Sequence, residues 1–247
     1  MHYIVFDLEF NQDFSSSHSF SKEKKQCPFE IIQIGAVKLD QYFNTITTFN
    51  RYVKPTLYSV VKPYITDLTG ITTEQLLSEK PFPQVFNDYV DFIGKEDSVL
   101  CVWGMADIKE LFRNVEFHKL DKQCLSESFI NLQPYVSAHF GFSKAKQVGL
   151  QSAVEALQIS MPYPFHSALH DAYYTAEILK KIQNPEIQPK RYDPHYVAIR
   201  PVRPKKNIDF EKLLQQFEKM YDRELSKEEQ DMIILAYKMG KTHQFLK

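Results

Sequence analysis

Tyr3-Ile4-Val5-Phe6-Asp7-Leu8-Glu9-Phe10 decides how this chain is read. The apolar residues are β-branched, aromatic or leucine, and no Gly or Pro interrupts them, so the stretch reads as a buried strand. Side chains alternate between faces, which sends Ile4, Phe6, Leu8 and Phe10 one way and Asp7 and Glu9 the other. Two carboxylates side by side at the end of an apolar strand repel and lose hydration. The fold must therefore protonate one of them or supply a cation. A divalent metal is such a cation; the competing reading is a strand end that has simply reached solvent.

Composition bounds the alternatives. A chain of 247 residues holds one sizeable domain and an appendage. Its 43% apolar and 25% charged residues suit a globular protein in water. Thirty Lys+Arg against 31 Asp+Glu leave a net charge of -1, so a nucleic-acid ligand must be gripped locally and not by a global basic field. Cys27, Cys101 and Cys124 are too scattered for a disulfide framework or a zinc site. With no apolar run of spanning length and no leader pattern ahead of Asp7, the expectation is a reduced, cytoplasmic protein with no membrane segment.

From strand one the chain runs outward as follows. Asn11 to Cys27 is polar and reads as an exposed loop. Ile31 to Leu39 and Ile46 to Val53 are strands, and short connections favour an antiparallel meander. Val60 to Leu68 reads as a short helix stopped by Thr69-Gly70. A second helix begins near Pro81, and Ser98 to Trp103 is a fourth strand. Asp107 opens the next helix and, with Glu110 three residues on, also fits a capping box. Cys124 to Leu132 reads as a fifth strand, and Pro134 to Phe140 and Gly149 to Leu157 as helices. His166 ends a stiff Pro-rich loop before a helix from Leu169 to Ile182, with Asp171 in its first turn, where the macrodipole alone favours a carboxylate. Residues 184–206 carry five prolines and six Lys/Arg against two acids and read as an extended basic linker. Beyond it, Phe210 to Tyr221 and the Ser226-x-x-Glu229 start of another helix make a helical hairpin.

Taken together, Phe6-Asp7-Leu8-Glu9-Phe10, Trp103-Gly104-Met105-Ala106-Asp107 and His166-Ser167-Ala168-Leu169-His170-Asp171-Ala172 resemble the DEDDh family of 3′–5′ exonucleases. Glu30 to Val37, Tyr52 to Pro55 and Leu68 to Thr72 are similar to the same family. The likeness covers roughly residues 1–183 and looks nearest to the ERI-like and KapD-like branch; the loop after Asn11 and everything past Asn184 fall outside it. It implies an α/β, ribonuclease H-like fold: a mixed five-stranded sheet, strand two antiparallel, with helices on both faces. The domains expected are an exonuclease domain at 1–183, the linker at 184–206 and the hairpin at 207–247.

The resemblance further implies that Asp7, Glu9, Asp107 and Asp171 bind two divalent ions, Mg2+ or Mn2+. His166 would take the proton from the attacking water, since imidazoles titrate near neutrality. Backbone around Leu8 and Phe10, with Leu68 and Thr69, would hold the terminal nucleotide. The expected substrate is the 3′ end of single-stranded RNA or DNA, RNA favoured, released as nucleoside 5′-monophosphates. The alternative is a regulatory binding protein that keeps the fold and docks a protein partner, an option the hairpin also permits. Binding alone does not require those carboxylates together.

Overall fold

The computed structural model describes residues 1–12, 22–142, 147–182, 186–194 and 209–241. β1 (His2–Asn11) is the strand read above, and it lies inside the sheet between β2 (Glu30–Leu39) and β4 (Ser98–Val102). A short helix, α1 (Lys22–Gln26), precedes β2, so the polar loop expected from Asn11 to Cys27 is helical in its later part, and Cys27 is buried. Residues 13–21 of that loop lie outside the described residues. β2 returns along β1 antiparallel, with Asp7 opposite Gly35 and Glu9 opposite Gln33. β3 (Thr45–Tyr52) completes the expected meander.

Three helices then cross to β4: α2 (Pro63–Thr69), α3 (Thr73–Leu76) and α4 (Phe82–Ile93). α2 stops where Gly70 takes φ 74° and its N–H bonds the Thr66 carbonyl, a left-handed cap that costs glycine nothing. α5 (Ala106–Phe117) follows β4. A 3₁₀ turn at Lys122–Cys124 leads to β5 (Ser128–Asn131), a shorter strand than the Cys124 to Leu132 span expected. After it come α6 (Gln133–His139), α7 (Leu150–Ala156) and α8 (Ala168–Ile182).

β4 and β5 run parallel to β1, as the crossovers require. Ile4, Phe6 and Leu8 pack under α4 and α5 against Phe82, Phe86, Tyr89 and Leu111. Val5, on the opposite face, packs under α8 against Ala172, Ala176 and Leu179. Each such aliphatic or aromatic side chain removed from water stabilises by roughly 1.5–3 kcal/mol. Helices thus cover both faces, and the alternation read from β1 sends Asp7 and Glu9 to the α8 side.

Among the described residues the sheet has six strands, in the order β3-β2-β1-β4-β5-β6, one more than expected. β6 (Lys190–Arg191) pairs antiparallel with β5. It comes from the stretch that composition assigns to a linker. The cause is Tyr192, whose ring packs on Phe112 at 4.6 Å and Phe129 at 5.9 Å while its N–H bonds the Glu127 carbonyl at 2.7 Å. The chain divides into two compact units, Met1–Tyr196 and Val197–Lys247. The first therefore keeps residues 186–194, and the start of the expected linker belongs to the sheet. Residues 195–208 lie outside the described residues.

Truncation is the test of that boundary. A chain ending at Gln183 loses Tyr192 and uncovers Phe112 and Phe129. Removing a buried aromatic costs about 3–5 kcal/mol, or roughly 6–20 °C in melting temperature for a unit of this size. A chain ending at Pro194 should melt with the first unit of the full chain. Equal melting of the two truncations would return β6 to the linker.

The second unit consists of α9 (Phe210–Tyr221) and α10 (Lys227–Lys241). The capping box is present: Glu229 N–H bonds Ser226 Oγ at 3.3 Å and Ser226 N–H bonds Glu229 Oε2 at 2.8 Å. Met220, Tyr221, Met232 and Leu235 are exposed.

Candidate active site

The site begins where β1 runs out. Asp7 and Glu9 leave the sheet on the α8 side, and the β1–β2 register shifts between Glu9 and Phe10, a bulge that re-aims the strand end. Asp171 meets them from the first turn of α8. One carboxylate oxygen from each of Asp7, Glu9 and Asp171 lies within 4.8 Å of the others. Two ligands on opposite sides of a Mg2+ ion stand about 4.2 Å apart, so the three oxygens need little contraction to share one ion.

Gly35 permits this approach. A Cβ at Gly35 would sit 2.0 Å from the Leu169 nitrogen and 2.1 Å from the Ala168 carbonyl carbon. The backbone that opens α8 therefore rests directly on β2, opposite Asp7. Gln33 holds the same turn: its Oε1 accepts from the Ala168 N–H at 3.2 Å, and its Nε2 donates to Asn50 Oδ1 at 2.9 Å. Gly35→Ala should push α8 off the sheet. The expected result is a melting temperature lower by several degrees and loss of any thermal shift on adding Mn2+. A variant that melts and responds to Mn2+ like its parent would show that the close approach is not needed.

Asp107 is the fourth acid. It lies in the first turn of α5 with 8% of its surface exposed. Met105 is the N-cap residue, and Glu110 pairs with Arg113 at 2.6 Å, so the capping-box alternative for Asp107 and Glu110 is not what forms. Asp107 stands outside the trio yet close enough to act on Asp7 and Glu9 through its charge.

Electrostatics across the four are one-signed. Burial, then the charges of Asp107, Asp171 and Glu9, raise the Asp7 carboxyl well above the ordinary carboxylate range. Burial, then Asp171 and Asp107, push Glu9 to about 8. Burial takes Asp107 to about 7, although its own N–H and that of Leu8 pull the other way. Burial takes Asp171 to about 6, opposed by the His166 N–H and by the His166 and His170 side chains. Among the described residues Asp171 Oδ1 is also buried without a hydrogen-bond partner. A cluster that disfavours its own charges and orphans a buried oxygen fits a bound divalent cation.

His166 sits at the lip of this cluster. Its side chain is exposed, its φ is +65°, and its N–H bonds Asp171 Oδ2 at 3.2 Å. A non-glycine residue in the left-handed region needs a neighbour to hold it, and here Asp171 does so. The loop before it is fixed by Tyr174, whose hydroxyl donates to the Tyr163 carbonyl and accepts from the Tyr163 N–H.

The other expected contacts are mixed. The Leu8 side chain is 3% exposed and belongs to the core, so only its backbone faces the acids. Phe10 packs edge-on against Phe29. Leu68 is exposed on α2, whereas the Thr69 hydroxyl is already used, donating to the Ile65 carbonyl and accepting from the Ile71 N–H. Two further residues brace this side. Glu30 accepts from the N–H groups of Thr56, Leu57 and Tyr58, and Asn11 Nδ2 donates to the Tyr58 and Val60 carbonyls. They hold the loop that delivers α2.

A mixed sheet of this order, with acids converging at the carboxyl end of its first strand, is the architecture of ribonuclease H-like nucleases. The chain belongs to the exonuclease family (RNase_T), whose profile matches residues 4–179. It is 28% identical over 182 residues to the DNA polymerase III PolC-type of Streptococcus sanguinis strain SK36, covering 72% of this chain and 11% of that protein. The chain thus spans about a tenth of the length of the curated relatives it matches. Among solved structures, it resembles the nuclease domain of 3′hExo, a DEDDh family member, bound to rAMP. That match has TM-score 0.65 and 21% identity, over 77% of this chain and 96% of that one. It also resembles S. pombe Pop2p in its Mg2+- and Mn2+-bound form, with TM-score 0.56 and 19% identity over 73% and 82% of the two chains.

Proposed function

We propose that this nuclease removes nucleotides from the free 3′ end of single-stranded nucleic acid, RNA in preference to DNA, as nucleoside 5′-monophosphates. The observation that carries the reading is the convergence of Asp7, Glu9 and Asp171 within 4.8 Å beside an orphaned Asp171 oxygen. With Asp107 they would hold two divalent ions, Mg2+ or Mn2+. Bound there, the ions would supply Lewis acidity for the attacking water and the departing 3′-oxygen. The His166 imidazole would accept the proton of that water, and its exposure at the cluster's edge leaves it room to do so. Leu68, exposed on α2, offers an apolar face on which a terminal base can rest without being read. Asn11 and Glu30 keep that face in place. The preference for RNA rests on the sequence resemblance to the ERI-like and KapD-like branch, and it is consistent with the likeness to the 3′hExo nuclease domain bound to rAMP.

Incubating 3′- and 5′-labelled RNA and DNA strands with and without Mg2+ or Mn2+ tests substrate, polarity and metal together. Mononucleotides should appear first from the 3′ label, and a circular strand of the same sequence should survive. Cleavage of the circle would show an endonuclease. For the second unit, the exposed Met220, Met232 and Leu235 favour a protein partner, which we propose as an addition to hydrolysis and not a replacement for it.

A further inference from the structure

Away from the acids, a cavity of about 500 Å³ opens between β5, β6 and α6. We propose that it is a second nucleotide subsite, holding an interior base of the same single strand whose 3′ end lies at the acid cluster. This rests on the exonuclease reading above.

The cavity is large enough for a base and its sugar, within the usual range of ligand sites. Tyr135 and Phe142 contribute aromatic surface, and Met105 a polarisable thioether. Aromatic walls stack any base by its π-face, which suits an enzyme that must accept every sequence in turn. Gln188 and Lys190 add polar groups, and no Asp or Glu lines the cavity among the described residues. Among the described residues lining it, Lys190 is the one basic side chain. The Lys190 ammonium stands 5.8 Å from the centre of the Tyr135 ring, which keeps it on the cavity wall, where a strand's phosphate would meet it. A strongly apolar peptide has less to gain, because it meets a wall interrupted by the amides of Asn131, Gln147 and Gln188.

Position argues for the same strand. Met105 lines the cavity and is two residues from Asp107, so their Cα atoms are at most about 7.6 Å apart. Asn131, the last residue of β5, lines it too and pairs in register with Val102 at the end of β4. Cavity and acids therefore share the carboxyl edge of the parallel strands. β5 is two strands from β1, roughly 10 Å across the sheet. A nucleic-acid strand leaving the acids along that edge reaches the cavity without turning back.

The test separates this subsite from the chemistry by measuring binding where nothing is cut. In the full chain carrying Asp7→Asn, a labelled ribonucleoside 5′-monophosphate and a labelled oligoribonucleotide of eight nucleotides are titrated against the further variants Tyr135→Ala, Lys190→Gln and Ala138→Trp. Ala138 is exposed on α6 and lines the cavity, so a tryptophan there fills it without touching the core. The eight-nucleotide strand should bind roughly tenfold more weakly to Tyr135→Ala and Ala138→Trp, the loss expected for one stacked base. The mononucleotide, which carries no second base, should bind as before. Unchanged binding of the longer strand in both variants would overturn the subsite, and so would equal weakening for both lengths. Hydrolysis by the parental chain is read separately on the eight-nucleotide strand. Length-selective binding without hydrolysis would sink the nuclease chemistry and leave the subsite standing; hydrolysis with no length-selective loss would do the reverse.

Discussion

Asp7→Asn should abolish hydrolysis and at the same time raise the melting temperature of the metal-free protein. Asp7 is the residue on which the other three acids press most, and its carboxyl is raised by burial and by all of them. Removing its charge takes away a proposed metal ligand, so turnover should fall by at least the roughly 10²–10³-fold seen when one group that stabilises developing charge is lost. Chelation of the parent should have the same effect. Stability moves the other way. A carboxylate whose folded pKa lies above its unfolded value, near 4, stabilises the fold fully below that pH. The contribution is lost as pH rises through about 6 for Asp171, 7 for Asp107 and 8 for Glu9. The EDTA-treated parent should therefore melt lower at pH 8.5 than at pH 5.5. Asp7→Asn should flatten that slope, and Mn2+ should remove it in the parent alone. Full hydrolysis in excess EDTA would end the metal assignment.

His166→Asn should fail differently. A proton acceptor and a metal ligand leave distinct deficits, and the structure lets the two be separated. His166 touches Asp171 through its backbone N–H, which asparagine at this position retains. Its φ of +65° is one that asparagine tolerates and a β-branched residue does not, so Asn removes the imidazole without displacing Asp171. Metal affinity should stay near parental while turnover falls roughly 10²–10⁴-fold. Raising the pH should recover part of the loss, because hydroxide needs no base. Metal titrations of His166→Asn and Asp171→Ala across pH, with turnover measured alongside, decide the matter. Equal loss of metal affinity in both, or parental turnover in His166→Asn, would remove the general-base role.

Asp7 and Glu9 were legible as a pair because strand alternation puts both on one face. Asp107 and Asp171 have ordinary helix-start readings and are joined to them only by the resemblance to the DEDDh exonucleases. In β1 the same alternation that buries Phe6 exposes Asp7 to the other face, and no packing argument wants two carboxylates there. The helix that carries Asp171 was legible from its apolar stripe. What was not legible is how closely that helix approaches. A glycine inside a strand, as at Gly35, permits close backbone contact, but sequence does not say with which backbone. Gln33 is a polar residue within an apolar run, and only its bond to the start of α8 gives it a purpose. β6 escaped because five prolines and six cations dominate its neighbourhood, while the one ring that anchors it, Tyr192, finds partners far away in sequence. The cavity beside β5 is assembled from four separate segments, none with a pattern of its own.

The acids come from the first strand, from the helix after the fourth and from α8. That order has a consequence for the protein's synthesis. The β1–β3 meander is local and can form early, but the trio of Asp7, Glu9 and Asp171 cannot close until Asp171 has been made and α8 has docked on Gly35. At about 5–20 residues per second, that interval is on the order of ten seconds. Through all of it the growing chain lies beside messenger RNA with its acids unassembled. On the proposed function, hydrolysis would begin only with the completed fold.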